Sequence, residues 1–151
     1  MILHIYTDGG SKGNPGPAAI GGVGYLDKKI IFKFRDDIGI ATNNDAEYQA
    51  VIMAYKKLSM INNPVSTAKR SEQLSKVKKI EFFSDSQLVV NQLNGFYKVK
   101  NGRIREYIMQ IRILEAEVKI PVIYQHIPRE KNQAADDLVN NIKFQSSNIK
   151  T

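Results

Sequence analysis

The sequence predicts an α/β protein with a five-stranded mixed sheet, its first three strands antiparallel and the rest parallel, and helices on both faces. Two observations lead there. Three runs rich in apolar and β-branched residues lie close together at the N-terminus, the second and third separated only by Asp27-Lys28. That spacing suits a hairpin and antiparallel pairing. Two later runs of the same kind are divided by stretches whose apolar residues recur at helical spacing, the pattern of strands joined by helical crossovers.

The elements follow in order. Ile2–Thr7 is a strand leading straight into Asp8-Gly9-Gly10, and residues 9–17 (GGSKGNPGP) form a turn-rich loop. Ala19–Leu26 and Lys29–Arg35 are the next two strands. Thr42-Asn43-Asn44-Asp45 offers several N-caps for a helix running from about Asn44 to Ile61, which must end before Pro64. Residues 62–77 are a polar excursion with a short helical piece around Glu72–Ser75. Val77–Phe83 is the fourth strand and ends in Ser84-Asp85. Ser86–Leu93 is a short helix closed by Asn94-Gly95. Ile104–Val118 is a long amphipathic helix, with Ile104, Ile108 and Ile111, then Leu114 or Glu115, along one side. Pro121–Ile127 is the last strand. The last helix runs from Asn132 to about Phe144, and Gln145–Thr151 is expected to be a frayed tail. No internal repeat or linker divides residues 1–151, so a single domain is expected.

Composition narrows the function classes. The chain is 42% apolar and 25% charged, ordinary for a globular protein. Its apolar runs fall far short of the roughly 20 residues of a membrane span. Met1-Ile2-Leu3-His4 lacks the charged region and cleavage site of a signal peptide, so a cytoplasmic location is expected. The absence of cysteine excludes disulfides, thiolate metal sites and cysteine nucleophiles. With 22 Lys and Arg against 15 Asp and Glu, the formal net charge is +7, which attracts polyanions such as nucleic acid.

Against that basic background four acids stand out. In the parallel part of an α/β sheet, ligands gather beyond the carboxyl ends of the strands. Asp8 is expected to close the first strand and Asp85 the fourth. Glu47 is more telling, because helical steps of three and four place it with Ala50, Val51, Ala54, Leu58 and Ile61 on the inward stripe. Burying an ionised carboxylate alone costs several kcal/mol. No Lys or Arg precedes Lys56 in this helix, so a divalent cation is the natural partner. Asp136 flanks the stripe formed by Ala135, Leu138, Val139 and Ile142 in the last helix. Each acid alone has an ordinary structural explanation as a turn residue or cap. Together, four oxygen donors without sulfur suit Mg²⁺ or Mn²⁺ rather than zinc. Two such ions about 4 Å apart suit phosphodiester hydrolysis.

Four stretches carry a resemblance to a known family: Tyr6-Thr7-Asp8-Gly9-Gly10-Ser11 with Gly13-Asn14-Pro15-Gly16; Thr42-Asn43-Asn44-Asp45-Ala46-Glu47-Tyr48; Ser84-Asp85-Ser86-Gln87-Leu88-Val89; and Asn132-Gln133-Ala134-Ala135-Asp136-Asp137-Leu138. In this order and spacing the chain resembles the type 1 ribonuclease H family over nearly its whole length. The resemblance implies a ribonuclease H-like fold and an endonuclease that cuts the RNA strand of RNA–DNA hybrids with two Mg²⁺ ions, or Mn²⁺ as a substitute. It implies 5′-phosphate and 3′-hydroxyl products, and Asp8, Glu47, Asp85 and Asp136 as metal ligands. It also implies that His126, ten positions before Asp136, assists product release, although the flanking Ile127-Pro128-Arg129-Glu130-Lys131 departs from the glycine-rich loop of many bacterial members.

For the substrate, the resemblance implies that Asn14, Asn43, Asn44 and Gln87 contact the minor groove of the hybrid, where 2′-hydroxyls mark the RNA strand. It gives Thr42 a DNA phosphate and brings the backbone of Gly10 and Ser11 close to the RNA sugar. The basic helix and loop that many bacterial members insert are replaced here by the compact residues 94–105, as in archaeal-type and related bacterial forms. In that segment Lys98, Lys100, Arg103 and Arg105, together with Phe96 and Tyr97, are expected to form a phosphate-binding patch. A monomer without an obligate protein partner is expected. The competing readings are a catalytically silent hybrid binder and a related exonuclease or junction resolvase. The four acids argue against the first, and the Thr-Asn-Asn…Glu and Asp-Ser-Gln motifs against the second.

Overall fold

The computed structural model describes residues 1–61, 72 and 74–140. Its strands are β1 (Ile2–Ser11), β2 (Gly16–Leu26), β3 (Lys29–Ala41), β4 (Lys79–Ser84) and β5 (Val122–His126). The helices are α1 (Asn43–Ile61), α2 (Gln87–Leu93), α3 (Gly102–Val118) and α4 (Gln133–Asn140), with a 3₁₀ turn at Arg129–Lys131. The sheet order is β3-β2-β1-β4-β5. The β1–β2 and β2–β3 pairs are antiparallel, and β1–β4 and β4–β5 are parallel, as the sequence predicts. No helix among the described residues is long and apolar enough to cross a membrane.

The N-terminal strands run further than expected. Gly9–Ser11, read from the sequence as the start of a loop, continue β1 opposite Ala18–Ile20. Asp8 therefore lies within β1 rather than at its end. Gly9 answers to packing, not to a turn: a Cβ on it would fall 2.3 Å from the backbone carbon of Ala46 in α1. Likewise β3 runs on to Ala41, pairing with β2 through two register shifts. Asp36 and Asp37 masked it in the sequence, but β3 is an edge strand, where charges facing water are well tolerated.

Alternation places helices on both faces. Gly9 meets α1, whereas Gly21, which is opposite Asp8, meets Ala135, Leu138 and Val139 of α4. The core lies between the sheet and α1, where Leu3, Ile5, Ile80 and Phe82 meet Val51, Ala54, Tyr55 and Leu58. Burial of Glu47, Ala50, Val51, Ala54, Leu58 and Ile61 bears out the predicted α1 stripe. In α3, Ile104 and Ile111 are buried and Ile108 and Leu114 pack half-buried beside them. The C-terminal end of α2 is as the sequence suggests, with Gly95 at a positive φ of 77° after Asn94; Ser86, expected inside the helix, is instead its N-cap, its Oγ accepting from Val89 N at 3.3 Å. The 3₁₀ turn was not anticipated. Glu72, Leu74 and Ser75 are helical, as the sequence suggests; the rest of that piece, the continuation of α4 to Phe144, and the tail lie outside the described residues.

Candidate functional site

Asp8, Glu47 and Asp85 converge at one end of the sheet, although they come from β1, α1 and the turn after β4. One carboxylate oxygen from each lies within 4.8 Å of the others. Gly9 makes this possible, since its lack of a side chain lets the first turns of α1 press onto β1. Glu47 is 7% exposed and Asp8 4%. Besides the acids, Glu47 meets the Gly9 backbone and Ser84, whose Oγ approaches Oε2 at 3.5 Å.

Three carboxylates this close repel one another, and burial weakens their solvation. Burial, followed by the Asp85 charge, raises Asp8 from an ordinary 3.8 to about 7. Burial and the charges of Asp8 and Asp85 raise Glu47 well above the usual carboxylate range. Asp85 Oδ2 is buried with no hydrogen-bond partner. Arg129 Nε comes to 3.6 Å of it, too far for a hydrogen bond, from a side chain that is 76% exposed. A buried carboxylate oxygen without a donor, beside two further carboxylates, fits a hard divalent cation. Asp8, Glu47 and Asp85 are the residues that would hold it.

Asp136 stands at the rim. It lies half-buried in the first turn of α4 and lines the same cleft, but it is not among the three carboxylates within 4.8 Å. It contributes, after burial and Asp85, to the upward push on Asp8. Its Oδ1 accepts from Asn140 Nδ2 at 2.8 Å. Asn132 ties α4 to the strand, donating from Nδ2 to the carbonyl of Thr7 at 2.9 Å, one residue before Asp8.

The cleft encloses about 670 Å³. Gly10, Ser11, Asn43 and Asn44 line it. Asn14 joins them indirectly, since Asn43 N donates to its Oδ1 at 3.0 Å. Thr42 caps α1: its Oγ1 accepts from Asp45 N at 3.0 Å, while Asp45 Oδ2 accepts from Thr42 N at 3.1 Å. Gln87 is exposed at the start of α2, and Lys98 and Lys100 are exposed on the segment before α3, all outside the cleft. His126 is exposed at the end of β5, opposite Ser84 in the parallel ladder, and does not line the cleft. Arg103, expected in the phosphate patch, has its Nε paired with Asp45 Oδ1 at 2.7 Å.

Sequence reading passed over Lys12, Asp37, Ser86, Arg129 and Asn140, which also line the cleft. Asn140 was recoverable, because it sits four residues after Asp136 on one helix face. Arg129 was not, since its approach to Asp85 depends on the 3₁₀ turn.

Comparison with known proteins gives the same picture. The family model described as RNase H matches residues 2–143. Ribonuclease HI of Halobacterium salinarum is 37% identical over 139 residues, covering 91% of this chain and 62% of that protein. The Bifunctional protein Rv2228c of Mycobacterium tuberculosis is 32% identical over 142 residues, 93% of this chain but 35% of its own length. This chain therefore spans less than two thirds of either curated relative. Among solved structures, LC11-RNase H1, isolated from compost by a metagenomic approach, superposes with a TM-score of 0.81 at 39% identity, covering 95% of this chain and 96% of that one. The same protein in complex with an RNA/DNA hybrid gives a TM-score of 0.79 at 38% identity, with 92% and 94% covered. Both the fold and nearly all of the sequence enter these matches, and the chain belongs to the RNase H family.

Proposed function

We propose that this chain is an endonuclease that hydrolyses the RNA strand of RNA–DNA hybrids, leaving 5′-phosphate and 3′-hydroxyl ends. The observation that carries the reading is the meeting of Asp8, Glu47 and Asp85 within 4.8 Å around an Asp85 oxygen that is buried without a hydrogen bond. A protein that merely coats a polyanion gains nothing from packing three carboxylates where phosphates must come. The hybrid bound by LC11-RNase H1 supports the choice of substrate, and the net charge of +7 supports attraction of its backbone.

Two Mg²⁺ ions, or Mn²⁺ in their place, would be held by Asp8, Glu47, Asp85 and Asp136, with Asp136 completing the set from the rim. When bound, the cations supply Lewis acidity at the attacking water and at the departing 3′-oxygen. The protein's own part is to hold the carboxylates in register. Asp8 is fixed by the strand ladder, Glu47 by the buried face of α1, and Asp136 by the tether from Asn132 to Thr7. Gly10 and Ser11 lie beside the RNA sugar, Asn14, Asn43, Asn44 and Gln87 read the minor groove, and Thr42 takes a DNA phosphate. Lys98 and Lys100 add further phosphate contacts. His126, outside the cleft on an exposed strand end, assists release of the product.

Incubating a labelled hybrid with the protein and Mg²⁺ tests this directly, with RNA–RNA and DNA–DNA duplexes alongside. Cleavage confined to the RNA strand of the hybrid is expected, and a circular substrate should be opened. Asp85→Asn should abolish cleavage and leave hybrid binding largely intact. Cleavage retained in that variant would remove Asp85 from the metal set.

A further inference from the structure

We propose that Asp45 and Arg103 form a positioning pair that fixes the hybrid-reading edge of the site and so sets substrate affinity rather than the rate of the chemical step. The inference rests on the hybrid-cleaving reading above. Asp45 lies in the first turn of α1 and Arg103 in the first turn of α3, 58 residues apart, yet Arg103 Nε donates to Asp45 Oδ1 at 2.7 Å. A cation in the first turn of a helix opposes the helix dipole, so Arg103 sits there at a local cost. The pairing with Asp45 offsets it. Asn101 steadies the arrangement, its Oδ1 accepting from Arg103 N at 2.9 Å and from Ile104 N at 3.1 Å.

From Asp45 the network runs to residues that face the substrate. Its second oxygen accepts from Thr42 N, and its own N–H donates to Thr42 Oγ1. Next along the chain, Asn43 Oδ1 accepts from Ser11 N at 2.9 Å and from Ser11 Oγ at 3.2 Å, while Asn43 N donates to Asn14 Oδ1. Two sets of hydrogen bonds, linked through the Thr42–Asn43 peptide, thus join α3, the start of α1, the end of β1 and the loop after it. Ordering that edge before substrate arrives lowers the entropy lost on binding. None of these bonds reaches Asp8, Glu47 or Asp85, so the chemical step should be spared.

Arg103 is 57% exposed, so direct contact with a phosphate is the rival explanation and the experiment must separate the two. Asp45→Asn, Arg103→Ala and the double variant would be compared by steady-state cleavage of a hybrid, and by anisotropy of a labelled hybrid in EDTA at several salt concentrations. Positioning predicts that each single variant raises KM and Kd about fivefold, a coupling typical of one hydrogen-bond network, with the double variant no worse than either. It also predicts kcat within about twofold of the parent and an unchanged slope of log Kd against log salt. A direct phosphate contact would instead lower that slope by about 0.9 in Arg103→Ala while Asp45→Asn bound normally, and would overturn the proposal. So would variants that lose thermal stability with KM unchanged. If the parent protein bound the hybrid but did not cut it, the catalytic reading would fail, while the affinity comparison in EDTA would still decide the role of the pair.

Discussion

Asp45 and Glu47 stand two residues apart in one helix and are almost equally buried, at 5% and 7% exposure, but their surroundings are opposite. Asp45 is matched. Burial alone would raise its carboxyl, but the Thr42 N–H and hydroxyl and the Arg103 guanidinium outweigh it and hold the group below the ordinary range. Glu47 faces Asp8 and Asp85, with Gly9 and Ser84 as donors among the described residues, and is pushed well up. Burial therefore does not separate an acid that the fold satisfies from one that it does not. Their surroundings do: the fold completes the first acid by itself, and leaves the second to be completed by something brought in.

The largest effect expected from this contrast is at Glu47. Glu47→Gln keeps the shape and removes the charge, so cleavage should fall by several orders of magnitude. In EDTA at pH 8 the same variant should melt at a higher temperature than the parent, because one of three mutually repelling carboxylates is gone. A lower melting temperature there would mean that Glu47 is already satisfied within the protein. Next in size is Gly9→Ala. Its Cβ would meet the backbone of α1 at 2.3 Å, which flexible side chains cannot relieve. Prying α1 from β1 should cost about 3 kcal/mol in chemical denaturation and weaken Mg²⁺ binding measured by calorimetry, since the helix carries Glu47 away from Asp8.

How far the sequence shows all this differs from residue to residue. Glu47 was legible because helical periodicity is a strong signal and a charge on an apolar stripe breaks it. Asp85 was legible as a strand end. Asp8 was correctly singled out but assigned to the wrong local setting, because glycines that permit close packing look like glycines that permit turns. Asp136 came from the family resemblance more than from the stripe it flanks, and the structure shows why: it is half-buried at the rim rather than locked in the centre. The topology followed from local patterns, since hairpin spacing and helical crossovers are both short-range. The Asp45–Arg103 pair did not, because no local rule links residues 58 positions apart; read alone, Arg103 was simply one of four cations in residues 98–105.

A smaller effect separates the acids by pH. Asp8 titrates near 3.8 when unfolded and near 7 when folded, so the folded state holds its proton more tightly. The stability this confers is complete below about 3.8 and is lost as pH rises to about 7. Without divalent cations, the melting temperature of Asp8→Asn minus that of the parent should therefore grow across this window and then level off. Mg²⁺ at pH 8 should raise the melting temperature of the parent and not of the variant. A difference independent of pH would mean that Asp8 is not pressed by its neighbours.

The smallest effect belongs to Asp45, and its sign is reversed. Its folded pKa is depressed, so it confers stability above its unfolded value of 3.8 that is lost as pH falls through the lower folded value. Asp45→Asn removes the charged half of a capping box and the ion pair with a half-exposed Arg103, which together should cost about 1 kcal/mol at neutral pH. That loss should be the same with or without Mg²⁺, because the carboxylate already has its donors. It should shrink below about pH 4, as the parent becomes protonated too. If Mg²⁺ recovered the lost stability, Asp45 would belong with the metal-facing acids, and the distinction between a completed and an incomplete carboxylate would fail at the two residues that show it best.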